Sequence, residues 1–93
     1  VYILTNKYRT VLYTGVTAEL PARIQKHRNK DYSDSFTARY NLNELMYYEN
    51  FSRIEEAIAR EKQLKAGSRK KKEALINAFN PEWRDLSEEV LRW

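Results

Sequence analysis

Two short apolar runs open the chain, Val1-Tyr2-Ile3-Leu4-Thr5 and Val11-Leu12-Tyr13-Thr14-Gly15, with the polar stretch Asn6-Lys7-Tyr8-Arg9-Thr10 between them. Their content of Val, Ile, Leu and Tyr suits a pleated, half-buried surface, and a polar gap of this length suits a hairpin. The pattern predicts strands over 1–5 and 10–14, with Gly15 ending the second. If residues 6–9 make the loop, Thr5 faces Thr10 and Tyr2 faces Tyr13. Facing side chains on one surface stand about 4.5–5.5 Å apart at Cβ, so two phenols would lie side by side.

Helical signals follow the hairpin. Pro21 suits a first helical turn, where its missing N–H costs nothing, and the helix is expected to run to about Lys30. Residues 29–34 are polar and read as loop, residues 36–40 as a short helical turn, and Leu45-Met46-Tyr47-Tyr48-Glu49 as a third strand. Ser52 and Glu55 have capping-box spacing, which predicts a helix from Arg53 to about Ala66 with Gly67 as its C′ glycine. Ser68 is placed to cap a helix from Arg69 to about Phe79, which Asn80-Pro81 would end. Leu86-Ser87 can open a short last helix, with Leu86 packed on Leu91. The order β-β-α-β-α-α predicts an α+β architecture, a small three-stranded antiparallel sheet flanked by helices, in one domain over 1–93.

Composition narrows the function classes. The chain has 93 residues and no cysteine, which excludes disulfides and thiolate metal sites and agrees with a reducing cytoplasm. It has no apolar run of the roughly 18 residues that a membrane span needs, and no signal peptide is visible. It opens on Val1 and not on methionine, so a few native residues are expected ahead of it. The net charge of +4 is unevenly spread: Arg60 to Lys72 holds seven basic residues and one acid, Glu61. A second cluster is Arg23, Lys26, Arg28 and Lys30, with the lone His27 inside it. Two basic clusters in a small domain suit a polyanion such as nucleic acid, and on charge alone they suit a solvated helix surface equally well.

Candidate chemistry lies on three elements. Ile54, Ala57, Ile58, Glu61 and Leu64 share one helical face, so a carboxylate points at the core or its rim. Such a group needs a cation, a metal or strong donors, and an ion pair to Arg23 is the simplest answer from spacing alone. Arg23 and His27 are four apart beside the Leu20–Ile24 stripe, which makes them neighbours. Arginine can clamp a phosphate, and histidine exchanges protons near neutral pH. Each of these residues alone is better explained structurally. Together with two tyrosines they supply the parts for metal-assisted phosphodiester cleavage: a carboxylate for hydrated Mg²⁺, a cation for the phosphate, and a phenol or imidazole to activate water.

These residues resemble the GIY-YIG nuclease superfamily, in particular its small stand-alone bacterial members. Val1-Tyr2 resembles the "IY" of the first motif and Tyr13-Thr14-Gly15 the "YIG". Leu20, Arg23 and His27 resemble the arginine helix. Residues 57–65 (AIAREKQLK) resemble the segment with the metal-binding glutamate, and Asn80-Pro81-Glu82-Trp83 the "NPxW" ending. The likeness implies a DNA endonuclease with low sequence specificity or selectivity for a structure such as a flap, branch or single strand, with a role in DNA repair or processing. It implies a single Mg²⁺ or Mn²⁺ on Glu61, Arg23 on the scissile phosphate, Tyr2 and Tyr13 lining the site, and a late asparagine, Asn80 in preference to Asn77. Whether Tyr2, Tyr13 or His27 takes the proton stays open. Gly15, Lys26, Lys62, Lys65, Arg69, Lys70, Lys71 and Lys72 are the expected nucleic-acid contacts, and a protein partner is one source of specificity that the chain itself lacks. The alternative is a nucleic-acid-binding module on the same fold that does not turn over. The chain departs from the pattern in having Thr14 for isoleucine, Val16 where some members carry lysine, and no motif glycine ahead of Val1.

Overall fold

The computed structural model describes residues 1–28 and 39–93, without the side chains of His27 and Arg28. Three strands, β1 (Tyr2–Thr5), β2 (Leu12–Gly15) and β3 (Glu44–Tyr48), form one antiparallel sheet in the order β2-β1-β3. Among the described residues, four helices flank it: α1 (Leu20–Arg28), α2 (Ile54–Ala66), α3 (Arg69–Phe79) and α4 (Ser87–Leu91). The expected helical turn over 36–40, the loop over 29–34 and the last expected residues of α1 fall wholly or mostly outside the described residues.

The central strand is buried on both faces, and its alternation sorts the core. Tyr2 and Leu4 point into a cluster with Leu20 and Ile24 of α1, Leu42, Leu45, and Leu86 and Val90 from the α4 end. Leu86 and Leu91 both join that cluster, as the spacing of the last helix predicts. Ile3 points the other way, against Met46, Tyr47 and Ile76 of α3. Met46 and Tyr47 are consecutive yet share this second cluster. A bulge permits it: Ile3 pairs with Tyr47 and Leu4 with Leu45, so Met46 is the extra residue of β3. A third, smaller cluster joins Val1 to Ala57 and Leu64 of α2.

The hairpin register differs from the expected one. Tyr2 pairs with Gly15 and Leu4 with Tyr13, so the connection covers residues 6–11 and not 6–9. Asn6 causes the difference. Its Oδ1 accepts from the Thr10 and Val11 amides at 2.9 and 3.4 Å, and its Nδ2 donates to Thr10 Oγ1 at 2.7 Å. The Arg9 amide closes the turn onto Asn6 O at 3.0 Å, with Arg9 at φ 57°. Thr5 Oγ1 donates to Val11 O at 2.8 Å. These bonds satisfy the loop backbone and draw two more residues out of the ladder.

Helix ends follow the sequence in part. Ser68 caps α3 by accepting from the Lys71 amide at 3.2 Å, and Asn80 ends it. The capping box at Ser52 does not form: α2 starts at Ile54, and its N-cap, Arg53, makes no side-chain cap bond. Gly67 ends α2 but is extended (φ −81°, ψ 166°), so it supplies no left-handed residue. The buried face of α2 is also narrower than its apolar spacing predicts. Ala57 and Leu64 are buried, whereas Ile54 and Ile58 are exposed, because the helix rests on the sheet edge at Val1 and Val16 and not on a broad core surface.

Candidate active site

At the β2 edge the motif residues come together for steric reasons that can be named. The Tyr2 ring, fully buried, lies across Gly15. A Cβ built on Gly15 would stand 2.5 Å from Tyr2 Oη and 2.9 Å from its Cε2. Glycine is therefore required by close approach of a phenol, not by backbone conformation, since no glycine has a positive φ. Tyr13, diagonal to Tyr2 across the register, has its ring centroid 6.4 Å from that of Tyr2 at an interplanar angle of 45°. The two phenols are thus neighbours, as the sequence suggests, although they do not face each other.

Helix α2 brings the carboxylate. Glu61 lies one turn after Ala57 and one before Leu64, the two residues that dock on Val1, and its side chain is only 14% exposed. Lys65, one turn on, pairs with it at 3.4 Å and also stands 5.9 Å from the Tyr13 ring centroid, within cation–π range. Tyr2, Tyr13, Gly15, Glu61 and Lys65 therefore occupy one edge of the sheet. The partner of Glu61 is this lysine and not the expected Arg23. Arg23 is half-buried on α1, next to the core residue Ile24 that packs in the Tyr2 cluster. The side chain of His27 lies outside the described residues.

Asn80 lies elsewhere. It is buried at the β3 edge, where Nδ2 donates to Met46 O at 3.2 Å and Arg84 O at 2.7 Å, and Oδ1 accepts from the Arg84 amide at 3.1 Å. The alternative, Asn77, accepts from Trp83 Nε1 at 2.6 Å on the surface. The "NPxW" residues thus build a lock on β3, and Trp83 itself takes φ 54° to reach it.

The basic residues divide in a similar way. Arg69 donates to Thr10 O at 2.9 Å and Arg9 O at 2.7 Å and pairs with Glu73 at 2.9 Å, so it ties the hairpin loop to α3. Lys62, Lys70 and Lys71 are exposed, and Lys72 is half-exposed. Lys26 is exposed on α1.

One cluster has no counterpart among the sequence expectations. Arg60 holds Glu49 through two bonds of 3.0 and 3.1 Å and reaches Gln63 at 2.8 Å, while the Tyr47 hydroxyl donates to the same carboxylate. Burial pushes the Tyr47 phenol up to about 12, and its bond to Glu49 adds to the effect. Burial also works against the Glu49 charge, but the Arg60 and Tyr47 hydrogen bonds outweigh it and hold the carboxyl below its ordinary value. The cluster clamps the end of β3 to α2 and so fixes the helix that carries Glu61. Glu49 and Arg60 are eleven apart on different elements, and no local spacing rule would pair them.

A cleft of about 320 Å³ opens between the 17–21 and 49–54 connections, floored by Val1 and Ala57. None of Tyr2, Tyr13, Arg23 or Glu61 lines it. Among the described residues no group of three or more His, Cys, Asp or Glu could hold a metal, and no helix is long and apolar enough to cross a membrane. The donor set at the β2 edge is therefore one carboxylate beside phenols. That suits a hard, largely hydrated cation completed by substrate phosphate, and it does not suit an all-protein cage.

The GIY-YIG catalytic domain model matches residues 1–74. A UPF0213 protein of Syntrophus aciditrophicus (strain SB) is 35% identical over 82 residues, which cover 88% of this chain and 92% of the relative. No solved structure matches the chain. The family-model match ends before Asn80, which therefore lies outside it, whereas Tyr2, Tyr13, Gly15, Arg23 and Glu61 lie inside it. On both comparisons, the chain belongs to the GIY-YIG catalytic domain family.

Proposed function

We propose that the chain is a divalent-metal-dependent endonuclease that hydrolyses phosphodiester bonds in DNA, selective for structure more than for sequence, and serves repair or processing in the cytoplasm. The observation that carries this reading is the gathering of the two motif tyrosines, Gly15 and the poorly exposed Glu61 at one sheet edge. Glu61 would hold Mg²⁺ or Mn²⁺ by one carboxylate. When bound, the ion neutralises charge on the scissile phosphate and on the leaving oxygen.

The protein groups supply the rest. Arg23 binds a non-bridging phosphate oxygen through its guanidinium fork. Tyr13, beside the Lys65 ammonium and only half-buried where Tyr2 is fully buried, is the better placed phenol to orient or deprotonate water. Tyr2, locked over Gly15, fixes the position of Tyr13 by ring contact. Lys62, Lys70 and Lys71 contact backbone phosphates, which gives affinity without reading bases.

The Glu61–Lys65 ion pair favours a second reading, a nucleic-acid-binding module in which this carboxylate is already neutralised by its own helix. One experiment separates the two. Branched, single-stranded and duplex DNA are incubated with Mn²⁺ and wild type, Glu61→Ala or Arg23→Ala protein. Removal of the metal ligand takes away several kcal/mol of transition-state stabilisation, so cleavage should fall by roughly 10³-fold or more. Cleavage by wild type no faster than by either variant on every substrate ends the enzyme reading. Salt-dependent binding that survives Glu61→Ala would then support the module.

A further inference from the structure

The end of the sheet away from Tyr2 carries a surface to which nothing above assigns a role. The hairpin loop and the segment leading into β3 enclose a pocket of about 300 Å³, lined by Asn6, Lys7, Tyr8, Tyr40, Asn41 and Asn43. Its two aromatics are exposed, Tyr8 at 76% and Tyr40 at 43%. Lys7 stands over the Tyr8 ring at 5.7 Å, and the exposed Arg9 follows in the same loop. Glu44 is the acid behind this loop, and it is faced by Arg9 and Lys7 as well as by Asp85.

Among the described residues, the lining contains no aliphatic and no acidic side chain, only phenols, amides and a lysine. An aliphatic peptide face would find no apolar floor there, and a cationic ligand would meet Lys7. Phenol faces with amides between them and ammonium or guanidinium groups at the rim suit an unstacked nucleobase with its phosphate. The loop is also held in place for such a task. Asn6 fixes its backbone, Arg9 donates to Trp83 O at 3.1 Å, and Arg69 binds the Arg9 and Thr10 carbonyls. Tyr8 is therefore displayed by a braced turn.

We propose that the Tyr8–Tyr40 pocket stacks one unpaired base of the substrate strand and so selects DNA with a single-stranded segment. The inference rests on the nuclease reading and deepens it. The first lining residue, Asn6, lies four residues along the chain from Tyr2, about 13 Å at ~3.3 Å each. That distance is about four nucleotide steps at ~3.4 Å each along a stacked strand. A base captured here sets the distance between the unpaired nucleotide and the cut.

The test uses binding without metal, so it does not depend on cleavage. A fluorescein-labelled single-stranded 12-mer and a blunt 12-base-pair duplex are titrated with wild type, Tyr8→Ala/Tyr40→Ala and Tyr8→Phe/Tyr40→Phe protein, each with its melting temperature checked. The alanine pair should weaken single-strand binding about tenfold or more and leave duplex binding within about twofold. The phenylalanine pair, which keeps the ring faces, should bind as wild type. A single 2-aminopurine in the 12-mer should be quenched by wild type and not by the alanine pair. Equal losses on both DNA forms, or no loss on either, overturn the proposal. If Glu61→Ala cuts like wild type, the nuclease reading fails while these binding results keep their meaning.

Discussion

At the β3 edge, polar side chains are bound to backbone, whereas at the β2 edge Glu61 is paired with a lysine of its own helix and the Thr14 hydroxyl is buried without a partner. Asn80 makes three bonds to the main chain. Asp85 Oδ1 accepts from the Leu45 and Ser87 amides and from Ser87 Oγ, and the Leu86 amide donates to Leu45 O. The 80–87 segment thereby covers an edge that would otherwise offer an open ladder. Across the sheet, Glu61 pairs with an i,i+4 lysine on its own helix and faces the Val1 amino group, and Thr14 Oγ1 is buried without a hydrogen-bond partner. Residue type does not distinguish the edges, since both carry amide, hydroxyl or carboxylate groups. Architecture commits the amide and carboxylate of one edge to the main chain, and on the other it sets the carboxylate against a neighbouring ammonium.

The sharpest way to break this contrast is Asn80→Ala. It leaves Met46 O and the Arg84 amide and carbonyl without their partner at a buried position. At about 1–3 kcal/mol per stranded group, with some rehydration, the loss should be about 3 kcal/mol, read by urea denaturation. Cleavage measured well below the melting temperature should fall only with the folded fraction. A folded Asn80→Ala protein that binds DNA normally and does not cut would move Asn80 into the reacting site and erase the difference between the edges.

Gly15→Ala tests the other edge. The new methyl must displace the Tyr2 ring, a core residue, and overpacking of this kind should cost about 2 kcal/mol. Tyr2→Leu removes the ring, including the Oη and Cε2 that would stand 2.5 and 2.9 Å from that methyl. The double variant should therefore be more stable than the sum of the two single losses predicts, a coupling that a double-mutant cycle reads directly. Strict additivity would mean that the ring and the glycine do not constrain each other.

The same contrast explains what could be read from the chain. Strand composition, the Ser68 cap and the Asn80-Pro81 stop are local, and each occurs where its residues predict. The motif tyrosines and Glu61 were legible because spacing puts them on definable faces. The hairpin register was not, because the Asn6 side chain chooses the loop length, and one residue's hydrogen bonds outweigh strand propensity. The Glu49–Arg60–Tyr47 clamp and the Arg69 tie were not, because their partners meet only after the helices dock. Ile54 and Ile58 match the apolar period of α2 but remain exposed, since periodicity gives a face and not the width of the surface that covers it.

Thr14→Val should have a smaller effect and of opposite sign. Thr14 is 4% exposed, and its hydroxyl is buried without compensation, so an isosteric methyl should stabilise the fold by about 1 kcal/mol. Cleavage should not change. If Thr14→Val lowers cleavage without lowering stability, that hydroxyl serves the reaction, and the β2 edge holds one more functional group than the motif residues indicate.

Lys65→Met should have the least effect on stability and decides most about the site. Lys65 is half-exposed, and such i,i+4 pairs contribute about 0.5 kcal/mol or less, so the melting temperature should barely move. Its influence on a metal is different in kind. An ammonium 3.4 Å from the Glu61 carboxylate competes with a divalent cation for the same oxygens. Its removal should tighten Mn²⁺ binding several-fold at low salt, in an effect that shrinks as salt screens the charges. The same variant loses the ammonium beside the Tyr13 ring, so if that contact helps Tyr13 to hold water, cleavage at saturating Mn²⁺ should fall. Tighter metal binding with unchanged cleavage at saturating Mn²⁺ would keep Glu61 as the ligand and give the Lys65–Tyr13 contact no part in the reaction. Unchanged metal binding would leave Glu61 as a structural carboxylate, and the two edges of the sheet would then be alike.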